Sequence, residues 1–282
     1  MDYTKLFRVE PGARVRLDNV DASFKGKHAS HEEAMPEIRK HVVRMDQLQY
    51  LLYADGSRSL LVVLQALDAA GKDGTIRHLF SGMNPQGTSV FGFKQPSAAE
   101  VAHDFLWRAH QRVPGKGEIV IFNRSHYEDV LVTRVHNLVP KEVWSKRFDQ
   151  INDFERLLAA NGTAILKFFL HITPEEQLAR FKQRLEDPSR QWKISNSDYA
   201  ERKFWPQYVE AYEEALERTN TAHAPWFVIP ANHKWFRDLA ISQIIAGTLE
   251  DMKLRTPPVR VDLDAIAREF HAASQAPGKP GV

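Results

Sequence analysis

The chain reads as an α/β protein built on a parallel sheet, and three observations carry that reading. Short, near-continuously apolar runs alternate with amphipathic helical patterns, as strands covered on both faces and their crossover helices require. The first run breaks into Leu67-Asp68-Ala69-Ala70-Gly71-Lys72-Asp73-Gly74-Thr75, a strand-loop-helix junction suited to phosphate. With 282 residues, 43% hydrophobic and 26% charged, the chain can bury a full core as one large α/β domain or one domain with appendages.

The elements follow in order. Residues 1–30 read as an irregular arm, whose Lys25, Lys27 and His28 are either solvated or a cover for an anionic ligand. A helix is predicted from His31 to Ala54. Ser30 with Glu33 caps it, and Met35, Ile38, Val42, Met45, Leu48 and Leu52 recur at intervals of three and four, giving one inward face. Strands are predicted at Leu60 to Ala66, Thr88 to Phe93, Ile119 to Asn123, Ala164 to His171 and Trp226 to Pro230. Ser97 with Glu100, and Thr173-Pro174-Glu175-Glu176, mark two further helix starts as capping boxes. The expected body runs over 31–271, and residues 272–282, with Pro277, Gly278, Pro280 and Gly281, read as a frayed tail.

Composition removes several function classes. The absence of cysteine excludes a disulfide framework, a thiolate metal site and a cysteine nucleophile, and fits a reducing cytoplasm. Met1-Asp2-Tyr3-Thr4-Lys5 has no apolar leader, and no run approaches the roughly 18 apolar residues that span a bilayer, so a soluble, unexported protein is expected. A net charge of +2, from 38 basic against 36 acidic residues, draws the chain to neither nucleic acid nor membrane. Any polyanion must meet a local basic cluster. Among 12 histidines no helical H-x-x-x-H pair with a third ligand stands out, so no zinc site is expected. Trp205, Trp226 and Trp235 are assigned to packing, with base stacking as an alternative.

The phosphate loop departs from G-x-x-x-x-G-K-[ST] at both ends, where Ala66 and Asp73 stand. Without the metal-binding hydroxyl, Asp68 is the nearest hard-oxygen ligand. The same residues also spell a plain strand-to-helix turn with Lys72 in solvent. A second polar segment ends the third strand: Asn123-Arg124-Ser125-His126-Tyr127-Glu128-Asp129. Carboxyl ends of parallel strands form the ligand crevice, so this segment is expected to face Lys72. Asn123 stands where many phosphate-binding folds place a metal-binding acid, with Glu128 and Asp129 on the helix expected next. A structural alternative has Ser125 and Asn123 as caps and Arg124 paired with Glu128. A third segment packs Arg180, Lys182, Arg184, Arg190 and Lys193 into fourteen residues. It reads either as a solvated helix face or as a lid, at about 180–200, that closes over a transferring phosphoryl group.

From about Leu48 to about Arg237 the chain resembles the family-2 polyphosphate kinases. The resemblance rests on Leu64 through Gly74, Phe93-Lys94-Gln95-Pro96-Ser97, Phe122 through Asp129, the lid stretch Arg184 through Lys193, and Ala224 through Pro230. It implies a P-loop kinase-like three-layer α/β/α sandwich with a central five-stranded parallel sheet and a helical lid. It also implies Mg²⁺, with Mn²⁺ as an alternative, and phosphoryl transfer from inorganic polyphosphate to nucleotides by a cytoplasmic homodimer or homotetramer. Many members resemble one another in having Phe-Asp-Arg-Ser-Trp-Tyr-Asn where this chain has Phe122 through Glu128, and the variant here looks like the class that phosphorylates both nucleoside mono- and diphosphates.

The expected roles follow. Lys72 and the loop at Ala69, Ala70, Gly71, Asp73, Gly74 and Thr75 hold the transferring phosphoryl, Asp68 and Glu128 hold the metal, and Arg124 and Arg184 neutralise developing charge. Arg180, Lys193, Lys94 and Asn123 are further phosphate or nucleotide contacts, with Lys94 equally a surface lysine. An ATP-dependent nucleoside monophosphate kinase would ordinarily carry Gly and Ser or Thr at positions 66 and 73, and in a non-catalytic polyanion binder Asp68 and Glu128 would have no task.

Overall fold

The structure, a computed structural model, describes residues 1–275. Five strands, β1 (Ser59–Gln65), β2 (Thr88–Gly92), β3 (Ile119–Asn123), β4 (Thr163–His171) and β5 (Trp226–Pro230), form one parallel sheet in the order β2-β3-β1-β4-β5. The strands lie where the apolar runs placed them. The helices are α1 (Tyr3–Phe7), α2 (His31–Asp55), α3 (Lys72–Leu79), α4 (Ala98–Val101), α5 (Trp107–His110), α6 (Val132–Val135), α7 (Lys141–Ala160), α8 (Pro174–Glu186), α9 (Asn196–Arg202), α10 (Trp205–Arg218), α11 (Lys234–Asp251) and α12 (Leu263–Gln275).

Alternation along the strands feeds two cores. Leu60, Val62 and Leu64 of β1 pack against α2, α3 and α11 through Leu48, Leu52, Leu79, Phe236 and Ile244. Leu61 and Val63 point the other way, into Phe148 and Ile151 of α7 and Ala215 and Leu216 of α10. The result is a three-layer α/β/α sandwich. Strand register sets Leu64 of β1 level with Asn123 of β3, so the loops that follow the two strands emerge side by side at one edge.

Helix starts obey local chemistry. Ser30 Oγ accepts from Glu33 N at 3.3 Å, Ser97 and Glu100 close a reciprocal capping box, and Thr173 Oγ1 accepts from Glu176 N ahead of Pro174. Glu33 reaches Ala29 N rather than Ser30 N, so the box at α2 is open. Glycine at 56, φ +62°, ends α2 in the left-handed conformation that such a cap requires.

Two terminal expectations differ from the structure. The arm is not solvated: Tyr3, Val9, Val15, Leu17 and Ala22 are buried. Val9 N bonds Trp226 O, Leu17 N bonds Glu213, and Lys27 and His28 both meet Glu37, at 3.0 and 2.8 Å. Scattered apolar side chains in an irregular segment have no period, so sequence inspection does not register them. At the other end α12 continues past Ala272 to Gln275, while Pro277, Gly278, Pro280 and Gly281 lie outside the described residues. Among the described residues no helix is long and apolar enough to cross a membrane.

Candidate active site

The loop after β1 is held from behind by side chains, not by glycines. Gln177 Nε2 donates to Asp68 O at 2.9 Å, and Arg180 Nη1 donates to Ala69 O and Ala70 O at 2.9 and 2.8 Å. Arg237 Nη1 adds a longer contact to Ala70 O at 3.4 Å. These bonds occupy the loop carbonyls. Ala69 takes φ +63°, a left-handed backbone that costs an L-residue roughly 1–2 kcal/mol and that the surrounding bonds must offset. Gly71 takes φ +108°, and a Cβ there would overlap Arg237 Nη1, so two independent constraints demand glycine.

Lys72, the first residue of α3, is buried, and its Nζ donates to Ala66 O at 2.9 Å. The solvated-lysine alternative is therefore excluded. Burial lowers the Lys72 pKa from the usual 10.5 to about 8; neighbouring Arg124 pushes the same way, and Asp68, Glu128 and Asp73 oppose it. Thr75 is also buried, its Oγ1 donating to Gly71 O at 3.2 Å, while Gly74 packs beside Arg237.

Arg124 joins the two loops. Its backbone N donates to Leu64 O, and its left-handed conformation, φ +60°, turns the side chain back over β1. Arg124 Nη2 lies 2.9 Å from Asp68 Oδ1 and Nη1 lies 3.6 Å from Glu128 Oε2, giving a carboxylate-guanidinium-carboxylate bridge. The paired Arg124–Glu128 alternative and the convergent reading are thus both present in one geometry. Burial pushes the Glu128 carboxyl up, against the pull of Arg124 and Lys72. Buried Gln65 reinforces the junction, donating to Ser125 Oγ and accepting from Tyr212.

The residues after Arg124 form a 3-10 turn, His126–Asp129, not a regular helix. Asp129 is spent on Arg108 at 3.2 Å and Arg147 at 3.5 Å. Beneath the turn, wholly buried Lys167 of β4 donates to Glu155 of α7 at 2.6 Å, Tyr127 Oη at 2.9 Å and Thr219 O at 2.6 Å. Burial pushes the Glu155 carboxyl up, and Lys167 and His126 together more than reverse this, leaving it below its usual value.

Asn123 and Asp73 meet: Asn123 Nδ2 donates to Asp73 Oδ1 at 2.8 Å. Lys193 Nζ approaches the other Asp73 oxygen at 3.9 Å, so the lid touches the loop there. Other lid residues do not converge. Arg184 Nη1 sits 3.8 Å from Asp198 and 3.4 Å from Lys193 O, bracing the lid. Arg180 is buried and saturated by Glu176, the loop carbonyls, Ala231 O and Asn232 O, so it supports the loop backbone from behind. Lys94 is exposed; its carbonyl accepts from Arg108.

Two clefts adjoin at Arg124, Glu128 and Val132. One, of about 300 Å³, lies beneath the lid helices and is lined by Asp68, Gln177, Glu201, Arg202, Trp205, Tyr208 and Tyr212. The other, of about 530 Å³, runs toward Lys94, Phe105, Arg108 and Arg147. Sequence reading missed Gln177, Arg202, Tyr208, Tyr212 and Arg237. One of these carried a signal: Arg237-Asp238 is a charged dipeptide between apolar Trp235-Phe236 and Leu239-Ala240-Ile241 of α11, and such residues are buried only when paired.

Comparison with known proteins gives a concordant result. The family model described as polyphosphate kinase 2 matches residues 28–257. A Meiothermus ruber protein named AMP/ADP-polyphosphate phosphotransferase is 50% identical over 257 residues, covering 90% of this chain and 95% of its own. A Rhodopseudomonas palustris ADP-polyphosphate phosphotransferase is 45% identical over 270 residues, covering 90% and 92%. The crystal structure of polyphosphate kinase 2 from Arthrobacter aurescens TC1 superimposes with a TM-score of 0.93 at 37% identity, covering 96% of this chain and 97% of that one. Half-identity over nearly the full length of both chains, joined to the Asp68–Arg124–Glu128 junction at the strand ends, leads to one conclusion: the chain belongs to the polyphosphate kinase 2 family.

Proposed function

We propose that this chain transfers the terminal phosphoryl group of inorganic polyphosphate to AMP and to ADP, by direct in-line attack of the acceptor phosphate oxygen. The observation that carries the reading is the convergence of Asp68, Arg124 and Glu128 from two separate loops onto one junction between two clefts, with buried Lys72 near enough to feel all three charges. An acceptor phosphate is already ionised near neutral pH, so no strong general base and no covalent intermediate are needed. Catalysis becomes positioning and charge neutralisation. Lys72 and the loop amides bind the transferring group. Arg124 spans the space in which charge builds, and Lys193 of the lid approaches the loop at Asp73.

Kinases of this family work with a divalent metal ion. The residues fit one, with Mg²⁺ favoured and Mn²⁺ as the alternative: Asp68 and Glu128 offer two hard carboxylates on one guanidinium, and among the described residues no group of three or more His, Asp or Glu forms an all-protein cage. Mg²⁺ characteristically takes one or two carboxylates and completes its shell with water and substrate phosphates. When bound, the ion supplies charge neutralisation to the phosphate oxygens of donor and acceptor.

The Asn123–Asp73 hydrogen bond supports acceptance of both AMP and ADP. An acid at 123 would face Asp73 at hydrogen-bond distance and need a cation between them; neutral Asn123 frees that point and leaves Glu128 as the acid of this segment. The acceptor phosphate then has two depths at which to meet the transferring group. Asn123→Asp and Glu128→Asn, each assayed with polyphosphate and with AMP or ADP, are expected to shift the ratio of the two acceptors. Unchanged ratios in both variants would overturn this account. Replacing polyphosphate by ATP as donor tests the ATP-dependent reading, and binding without transfer tests the polyanion binder.

A further inference from the structure

Arg180 spends all five of its N–H groups, and they face two ways. Nε donates to Glu176 Oε1 at 2.7 Å and Nη1 to Ala69 O and Ala70 O at 2.9 and 2.8 Å, while Nη2 turns to Ala231 O and Asn232 O at 2.5 and 3.0 Å. A guanidinium is a rigid planar fork, so the turn after β5 fixes, through Arg180, where the carbonyls of the phosphate loop stand. Ala69 makes that position matter. Its left-handed backbone, φ +63°, persists only while its surroundings over-determine it.

The turn itself is held by half-buried Asn232, which engages every polar atom it carries. Its N donates to Ala22 O at 3.1 Å, its O accepts from Arg180, its Oδ1 accepts from Thr173 N at 3.1 Å, and its Nδ2 donates to Ser23 Oγ at 2.8 Å. Thr173 Oγ1 in turn accepts from Glu176 N at 3.2 Å, and Glu176 holds Arg180 Nε. The bonds form a closed circuit from Asn232 through Thr173, Glu176 and Arg180 back to Asn232 O. A side branch reaches the N-terminal arm at Ser23, ahead of residue 28, where the family match begins. In such a network each bond restrains its neighbours, and loss of one shared member loosens the rest.

We propose that Asn232 is a positioning residue for the transfer reaction: its side chain fixes the turn after β5 against α8 and the arm, and Arg180 transmits that position to the phosphate loop. Asn232 touches no substrate in this account. It acts through Arg180, on the shape in which the loop amides meet the transferring phosphoryl group, so its effect falls on turnover and not on the acceptor. The kinetic consequence rests on the polyphosphate-dependent transfer proposed above.

The test is a double-mutant cycle on the full chain, with long-chain polyphosphate as donor and AMP or ADP as acceptor. Asn232→Ala is expected to lower kcat about tenfold and to leave the acceptor KM within about twofold, since misplacing a positioned group by about 1 Å can cost up to about 10²-fold. Arg180→Ala and the double variant are expected to share one kcat, because the two residues act in series. Asn232→Asp keeps an oxygen for Thr173 N, and the Ser23 hydroxyl can turn to donate to the other, so most of the turnover is expected to return. Amide hydrogen exchange over 66–75 of the substrate-free protein is expected to quicken in Asn232→Ala, with 141–160 in α7 unchanged. Losses that multiply in the double variant, or exchange over 66–75 that stays at the parent rate in Asn232→Ala, would overturn the proposal. A parent chain inactive with polyphosphate would sink the proposed function alone, and the exchange measurement, which needs no substrate, then decides the role of Asn232.

Discussion

Lys72 shows what the site costs and what it gains. Its depressed pKa, about 8, means that between pH 8 and the usual 10.5 the unfolded chain holds a proton the folded chain has released. Stability from this group therefore rises with pH across that window, and its full cost is present below about 8. Substrate binding runs the opposite way, because a neutral lysine no longer attracts phosphate. The KM for polyphosphate is expected to climb as pH passes about 8, with kcat changing less; a KM flat to pH 10 would contradict this. Lys72→Met is expected to raise the thermal midpoint at pH 7 while lowering turnover to under a tenth, read by calorimetry and a coupled nucleotide assay. Arg124→Ala should reduce kcat by about 10³-fold or more, the scale of a charge-neutralising arginine in phosphoryl transfer. Arg124→Lys should recover little, since an ammonium cannot span Asp68 and Glu128 together.

At the scale of elements, the turn after β3 stands on a buried ion pair. Lys167 of β4 and Glu155 of α7 are both fully buried and share Tyr127 Oη as a third member. Removing one partner strands the other charge, so Lys167→Met or Glu155→Leu should each cost about 3–5 kcal/mol in urea unfolding, and the double variant should cost less than their sum. Additive losses would show that the pair is not coupled. The helices and strands themselves were legible. Ser30, Ser97 and Thr173 announced three helix starts because capping is local chemistry, and β1, β3, β4 and β5 announced themselves because both their faces are covered, whereas β2, at the sheet edge, is largely exposed. The turn at His126–Asp129 was not legible as a 3-10 segment. Its geometry is set by Lys167 and Glu155, which are distant in sequence.

At the scale of the whole molecule, the N-terminal arm closes the sandwich. It places Tyr3 against Phe236, ring centroids 5.4 Å apart, and lies along β5 through Val9 and Trp226. Leu17→Ala should destabilise the fold by about 2–5 kcal/mol, as for other fully buried leucines, and should leave kcat of the folded protein unchanged; denaturation and activity assays on one preparation check both. A midpoint equal to that of the parent protein would return the arm to solvent.

Composition, apolar periodicity and capping determined the class of fold, its strands and the loops from which the chemistry comes. Asp68, Lys72, Arg124 and Glu128 were nameable because phosphate transfer needs cations and hard oxygens at strand ends, a demand that is local in sequence. Tertiary structure alone decided which of the named residues meet at the strand ends and which brace the backbone. The linear reading ranks Arg180 as a further phosphate contact and Arg184 as a charge-neutralising residue. Yet one is buried under the loop carbonyls and the other is folded into the lid, because their directions depend on how α8 lies across the sheet. Gln177 and Arg237 joined the loop through that packing, and packing also gave Asp73, already named as a loop residue, its bond to Asn123. The loop could dispense with the usual glycine at position 66 because side chains from α8 and α11, more than 100 residues away in sequence, hold its carbonyls in place.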